Sequence, residues 1–170
     1  MVQVIKRLAL VFFMVLLAGC SPKYDWREVS TAGGRVQAIF PDKPRSESRT
    51  TEIEGVSYPF TMDMALVDDQ VFAVVYSLLP EAKQDEASTR KAGEALLRSI
   101  YASMNETLPE PLPPFGQKLT FRKAVGNENA SVYVKVFAGS GVIAQAYAAG
   151  QDNTLKESVA DEFLNGMTLR

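Results

Sequence analysis

Ser88-Thr89-Arg90-Lys91 sets a hydroxyl and an amine three residues apart. On a helix that spacing puts both side chains on one face. A lysine so placed could take the serine's proton and make the oxygen a nucleophile. The plainer reading is preferred, because both residues fall in the first turns of a polar-fronted helix, where Ser and Lys are ordinary. Asp63, Asp68 and Asp69 gather carboxylates that could hold a hard cation. Calcium wants six to eight oxygen ligands, however, and the D-x-[DN]-x-[DN]-G loop is absent. A solvated turn is expected there and no metal site. Asp161-Glu162 reads as the exposed side of a helix. Gly139-x-Gly141 lacks the third glycine and the strand-to-helix context of a dinucleotide fingerprint, and reads as a hairpin turn. The chain has no histidine. That removes the usual general base near neutral pH and the commonest metal ligand. Ser-His-Asp catalysis, Cys-His catalysis and HExxH zinc sites are thereby excluded. Carboxylate, lysine or tyrosine chemistry stays open, and no cofactor is expected.

The Ser88-x-x-Lys91 spacing resembles that of the penicillin-interacting serine enzymes. Their companion Ser-Asp-Asn and Lys-Thr-Gly motifs are missing here, and the chain is short for that fold. Cys20 is a stronger signal. It is the one cysteine, and it ends the run Leu17-Ala18-Gly19-Cys20. Lys6 and Arg7 precede an apolar stretch from Leu8 to Ala18, the order of a secretory signal. That stretch is too short to span a bilayer, which takes about 20 residues. Leu-Ala-Gly-Cys resembles the lipobox of bacterial lipoproteins. The resemblance implies diacylglycerol on the Cys20 sulfur, cleavage before it and an acylated new N-terminus. A buried free thiol is the ordinary alternative; the matching motif directly after the apolar run weighs against it. Several acyl chains hold a protein to a membrane far better than one, at roughly 0.8 kcal/mol per buried methylene. Ser21 follows, where Asp would resemble an inner-membrane retention signal. The outer membrane, on its periplasmic face, is the expected location.

The expected organisation is a signal peptide over residues 1–19, a lipidated tether over 20–23, and one globular domain over 24–170. Cleavage before Cys20 would remove two basic residues and no acid, leaving 151 residues at a net charge of −4. That is enough chain for a core of its own. A mildly acidic domain lacks the basic footprint of nucleic-acid binding and a polybasic stripe for anionic lipids. With Cys20 acylated, no disulfide or Cys metal site remains.

The elements must then position what chemistry there is. Val36–Phe40 predicts a strand, and Ser48–Ile53 a polar edge strand. Two strong runs meet at Asp68-Asp69 and pair Leu66 with Val71, Met64 with Ala73 and Met62 with Val75. That face is cleanly apolar. The reverse face, with Thr61, Asp63, Phe72, Val74 and Tyr76, is mixed. Gly93, Leu96, Leu97, Ile100, Tyr101 and Met104 recur at helical spacing and predict a helix over 84–104 with Asp85 as N-cap. The proline-rich segment 108–114 predicts an extended connection. Lys118–Val125 predicts a strand, followed by a turn over 126–129. Ser131–Ala138 and Val142–Ala149 predict a hairpin about Gly139-Ser140-Gly141. In that register Val132, Val134 and Val136 face Ala148, Ala146 and Ala144. A last helix is expected behind a Thr154-x-x-Glu157 capping box, with Leu155, Val159, Phe163 and Met167 as its stripe. Phe163 is expected to pack on the valine and alanine face.

Strands, helix, strands, helix make an α+β fold with an antiparallel sheet built from hairpins and carrying two helices. Val36-x-Ala38-Ile39-Phe40-Pro41-x-x-Pro44 and Phe163-Leu164-Asn165-Gly166-Met167-Thr168-Leu169 resemble small secreted domains of the Mog1/PsbP type. That likeness implies an α/β/α sandwich and no catalytic signature. The other hairpin face would gather Tyr133, Lys135, Phe137, Ile143 and Tyr147, aromatics with a polar group as binding surfaces have. A helix lying over it is the plainer alternative. Trp26 could sit at a membrane interface, but core or edge packing is preferred. The first expectation for function is a non-enzymatic, membrane-anchored lipoprotein with an envelope-protein partner or an assembly role. A small-molecule or lipid binding module on the aromatic face is the second. An atypical Ser-Lys or carboxylate hydrolase is the third.

Overall fold

Asp68 turns the chain with a left-handed φ of 54°, a conformation Asp tolerates, and joins two long strands. Met62 pairs with Val75, Met64 with Ala73 and Leu66 with Val71, the expected register. In the computed structural model, residues 23–125 and 128–170 are described. The signal stretch, the lipobox and Cys20 lie outside the described residues, as do Gly126 and Asn127 of the expected turn. Glu128 and Asn129 of that turn already belong to a strand.

The elements run β1 (Arg27–Thr31), β2 (Val36–Phe40), β3 (Arg45–Ile53), β4 (Val56–Val67), β5 (Gln70–Leu78), α1 (Glu86–Met104), β6 (Leu119–Val125), β7 (Glu128–Gly139), β8 (Val142–Gln151), α2 (Glu157–Asn165) and β9 (Thr168–Leu169). One sheet has the order β3-β4-β5-β8-β7-β6, and a smaller one the order β1-β2-β9. All their pairings are antiparallel. The fold is α+β. The large sheet is two three-stranded meanders joined along β5 and β8. One face of it carries α1. The other carries the small sheet together with α2, so each face has its own core.

Two register facts decide which side chains go where. In the β7–β8 hairpin Gly139 pairs with Val142, so the turn is the two-residue Ser140-Gly141 and not a three-residue loop. Both residues have positive φ, 49° and 70°. Such a turn matches the twist of the strands it joins. The expected register is therefore off by one residue, which sends every side chain of one strand to the other face. Val134 and Val136 lie with Ile143 under α1, while Ala144, Ala146 and Ala148 lie with Tyr133 and Phe137 on the α2 side. The second fact concerns β4 and β5. The mixed face is the deeper one, with Phe72 and Val74 fully buried, whereas Leu66 on the apolar face is 56% exposed. The cause is placement: α1 lies mainly across β7 and β8 and leaves β4 half open.

Asp85 caps α1 by accepting a hydrogen bond from the Ser88 backbone N–H at 2.9 Å. The capping box expected for α2 does not form. Lys156 is the N-cap and makes no side-chain cap bond. The Thr154 hydroxyl instead donates to Asp69 Oδ2 at 2.8 Å, across to the β4–β5 turn. Leu155 is buried just ahead of the helix and not within it. Phe163 is fully buried, with its ring edge-on to Phe40 and Phe72, each 5.4 Å away. Its bed is the alanine row of β8 together with β2. The valines of the expected bed face the other core. Lys118 ties the start of β6 to α2 through Glu157 at 2.6 Å and Asp161 at 2.8 Å.

Candidate functional site

The β3–β4 hairpin turns at Glu54-Gly55, again with two positive φ values, 49° and 77°. Beyond that turn it leans toward the first half of α1. Ala92 and Ala95 face it there, and their small side chains stop short of filling the gap. The result is a groove of about 720 Å³ between the hairpin, the end of β5 and the helix. Its floor is Ile53, Tyr58, Leu79 and the two alanines. Its mouth holds Val56 and Leu78, large apolar side chains left 39% and 40% exposed. A surface seldom leaves such side chains together in a concavity without a use for them.

The polar groups stand at the edge. Arg98 grips Glu54 with two hydrogen bonds, of 2.5 and 3.1 Å. That grip holds the Glu54 carboxyl below its ordinary range, helped by the charge of Lys91. Burial, then the Glu54 charge, pushes the Tyr58 hydroxyl up, so it stays a neutral phenol. Lys83 and Lys91 also line the groove. Neither makes an ion pair among the described residues. Ser88 is at the edge too, so the Ser88-x-x-Lys91 pair does reach a pocket. Its hydroxyl and backbone serve the Asp85 cap, whose carboxyl they hold below its ordinary range. Among the described residues no hydrogen bond joins Ser88 to Lys91. A second hollow, of about 730 Å³, lies between α1 and the segment Leu108–Phe115. It is shallower and edged by Arg90, Glu94, Arg98 and Glu110.

The aromatic face expected on the β7–β8 hairpin is not one face. The one-residue shift places Tyr133, Lys135 and Phe137 on the α2 side and Ile143 and Tyr147 on the α1 side. Tyr133 and Ile143 are buried, and Lys135 Nζ donates to Asn165 Oδ1 at 2.6 Å. Tyr147 leans its hydroxyl on Met62 Sδ at 3.7 Å, and burial pushes that hydroxyl up. The three aspartates do not converge. Asp63 is buried and accepts from Ser46 Oγ; Asp68 pairs with Lys23 at 3.1 Å; Asp69 accepts from Thr154. Among the described residues no three His, Cys, Asp or Glu side chains gather as metal ligands. Trp26 is half-buried against the α2-side core, its ring 5.9 Å from Tyr24.

Sequence reasoning missed the groove. Its walls come from β3, β4, β5 and α1, and no short stretch contains it. One signal was present: Val56 and Leu78 are apolar residues at strand ends, and Ala92 and Ala95 are small residues flanking the start of the helix stripe. Only pairing brings them together. No protein-family model matches the chain, and no curated protein matches it either.

Proposed function

We propose that this protein is a lipid-anchored, non-catalytic binding protein of the bacterial envelope. Diacylglycerol on Cys20 would hold it to the periplasmic face of the outer membrane. The groove between α1 and the β3–β4 hairpin would take an apolar guest. One observation carries the binding reading: a groove of about 720 Å³ with an apolar floor and two exposed apolar side chains at its mouth. Small-ligand pockets run about 300–1,000 Å³ and are lined in this way. Tyr133 and Phe137 of the expected aromatic face pack in one core, and Ile143 and Tyr147 in the other. The free Ser88 and Lys91 pairing that a hydrolase would need is not made. The lipobox supports the anchor, and among the described residues no helix is long and apolar enough to cross a membrane.

Two measurements test the two halves. Cys20→Ser should abolish labelling by a palmitate analogue in growing cells, and label retained on that variant would end the anchor assignment. A neutral fluorophore such as N-phenylnaphthylamine should brighten when titrated into the protein, and Leu78→Asp should remove the effect. Leu78 is 40% exposed, so the change puts a charge in the groove without a core cost. A signal that survives in Leu78→Asp would place the guest elsewhere. An envelope-protein partner is the second reading, favoured by Leu66 beside Met64 and Val71 on the half-open sheet face. A photocrosslinker placed at Leu66 in cells should then yield one discrete adduct.

A further inference from the structure

We infer that the guest of this groove is a single-chain amphiphile with a compact anionic head, its chain on the apolar floor and its head against Lys83 and Lys91. The inference rests on the binding reading above and names its ligand class. Size comes first. At about 720 Å³ the groove lies within the roughly 300–1,000 Å³ of small-ligand pockets, the scale of one long alkyl chain with its head. Charge comes next. The groove's own carboxylate, Glu54, is already neutralised by the two-pronged grip of Arg98. The two remaining charges at the edge are both positive, and both lysines are without an ion pair among the described residues. Ser57 and Ser88 add hydroxyls beside them. An apolar trough with cations and hydroxyls only at its rim complements a chain that ends in an anion. A neutral oil would leave those lysines unused, and a cationic amphiphile would be repelled.

The described chain enters at Lys23, which pairs with Asp68 at the β4–β5 turn. Leu78 lies at the other end of β5, about 27 Å of strand away. The groove therefore opens at the end of the sheet remote from the tether.

The test uses the full-length lipidated chain in phosphatidylcholine vesicles, so that every probe partitions from the same membrane reservoir. Three diazirine-bearing C16 probes are compared: the alkyl sulfate, the alcohol and the alkylammonium. Irradiation is followed by peptide mass spectrometry. The sulfate should label the β3–β4 hairpin and the first half of α1 about tenfold more than the alcohol, the ratio a charge-assisted contact gives, and the ammonium least. Lys83→Gln with Lys91→Gln should bring the sulfate down to the level of the alcohol. Both lysines are at the surface, so the double variant keeps the fold. Equal labelling by sulfate and alcohol, or a sulfate preference that survives the double variant, overturns the anionic guest and leaves an apolar groove. No labelling of the groove peptides by any probe overturns the binding reading itself.

Discussion

Gly93 shows how tightly single atoms are placed. It lies on the inner side of α1, where a Cβ would stand 2.5 Å from Ala138 Cβ and 2.7 Å from Phe115 Cζ. Alanine is the better helix former by about 1 kcal/mol. The crowding outweighs that gain, because Ala138 belongs to a paired strand that cannot retreat. Gly93→Ala should therefore lose about 1–3 kcal/mol in urea unfolding, as overpacked cores do. A neutral or stabilising result would mean that α1 rides higher on β7. Phe163 is the opposite case. It fills the space between Phe40, Phe72 and the β8 alanines, none of which can move in to replace it. Phe163→Ala should cost about 3–5 kcal/mol. Lys156→Ala, at an exposed position that makes no cap bond, should cost less than about 0.5 kcal/mol. The contrast between the two separates a docked helix from a loose one.

At the scale of elements, legibility follows the range of the interaction. The β4–β5 register could be read because its turn is two residues of a type that tolerates left-handed φ, flanked by long β-rich runs. The β7–β8 register could not. Gly139-Ser140-Gly141 permits a two-residue or a three-residue turn, and the alternation of flanking apolar residues fits either. That single residue divided the expected binding face between the two sides of the sheet. Thr154-x-x-Glu157 misled for a related reason: the threonine is taken up by the distant Asp69. The cap at Asp85 was legible because it is local, and it carries a pH signature. Hydrogen bonding from Ser88 lowers the folded carboxyl's pKa below its unfolded value. The stability it contributes is thus present above the unfolded pKa, about 3.9, and lost as pH falls through the folded pKa. Asp85→Ala should lower the urea midpoint at pH 7, and the gap from the parent should close as the pH drops below about 4. A gap that persists in acid would assign the loss to something other than the charged cap.

At the scale of the molecule, two cores share one sheet. The α1 side and the α2 side make few direct contacts with each other, and their coupling runs through β5, β7 and β8, which bury residues on both faces. If the α2 core opens, Phe72, Ala144 and Ala146 lose their cover, and the strands that carry Ile143, Val134 and Val136 lose their support. Neither half retains enough buried surface to stand alone against the entropy of ordering its chain. The domain should therefore unfold in one step although it has two hydrophobic centres. The chain provides a probe for the comparison, because Trp26 is its one tryptophan and packs on the α2-side core only. Its fluorescence reports that side, while far-ultraviolet circular dichroism reports the sheet and α1. The two urea transitions should share a midpoint and a slope. If the tryptophan transition came first, with the dichroism unchanged, the small sheet and α2 would be a separable layer laid on a self-sufficient α1 and six-stranded sheet. The groove, which belongs wholly to that second part, would then keep its probe binding after Trp26 has been released.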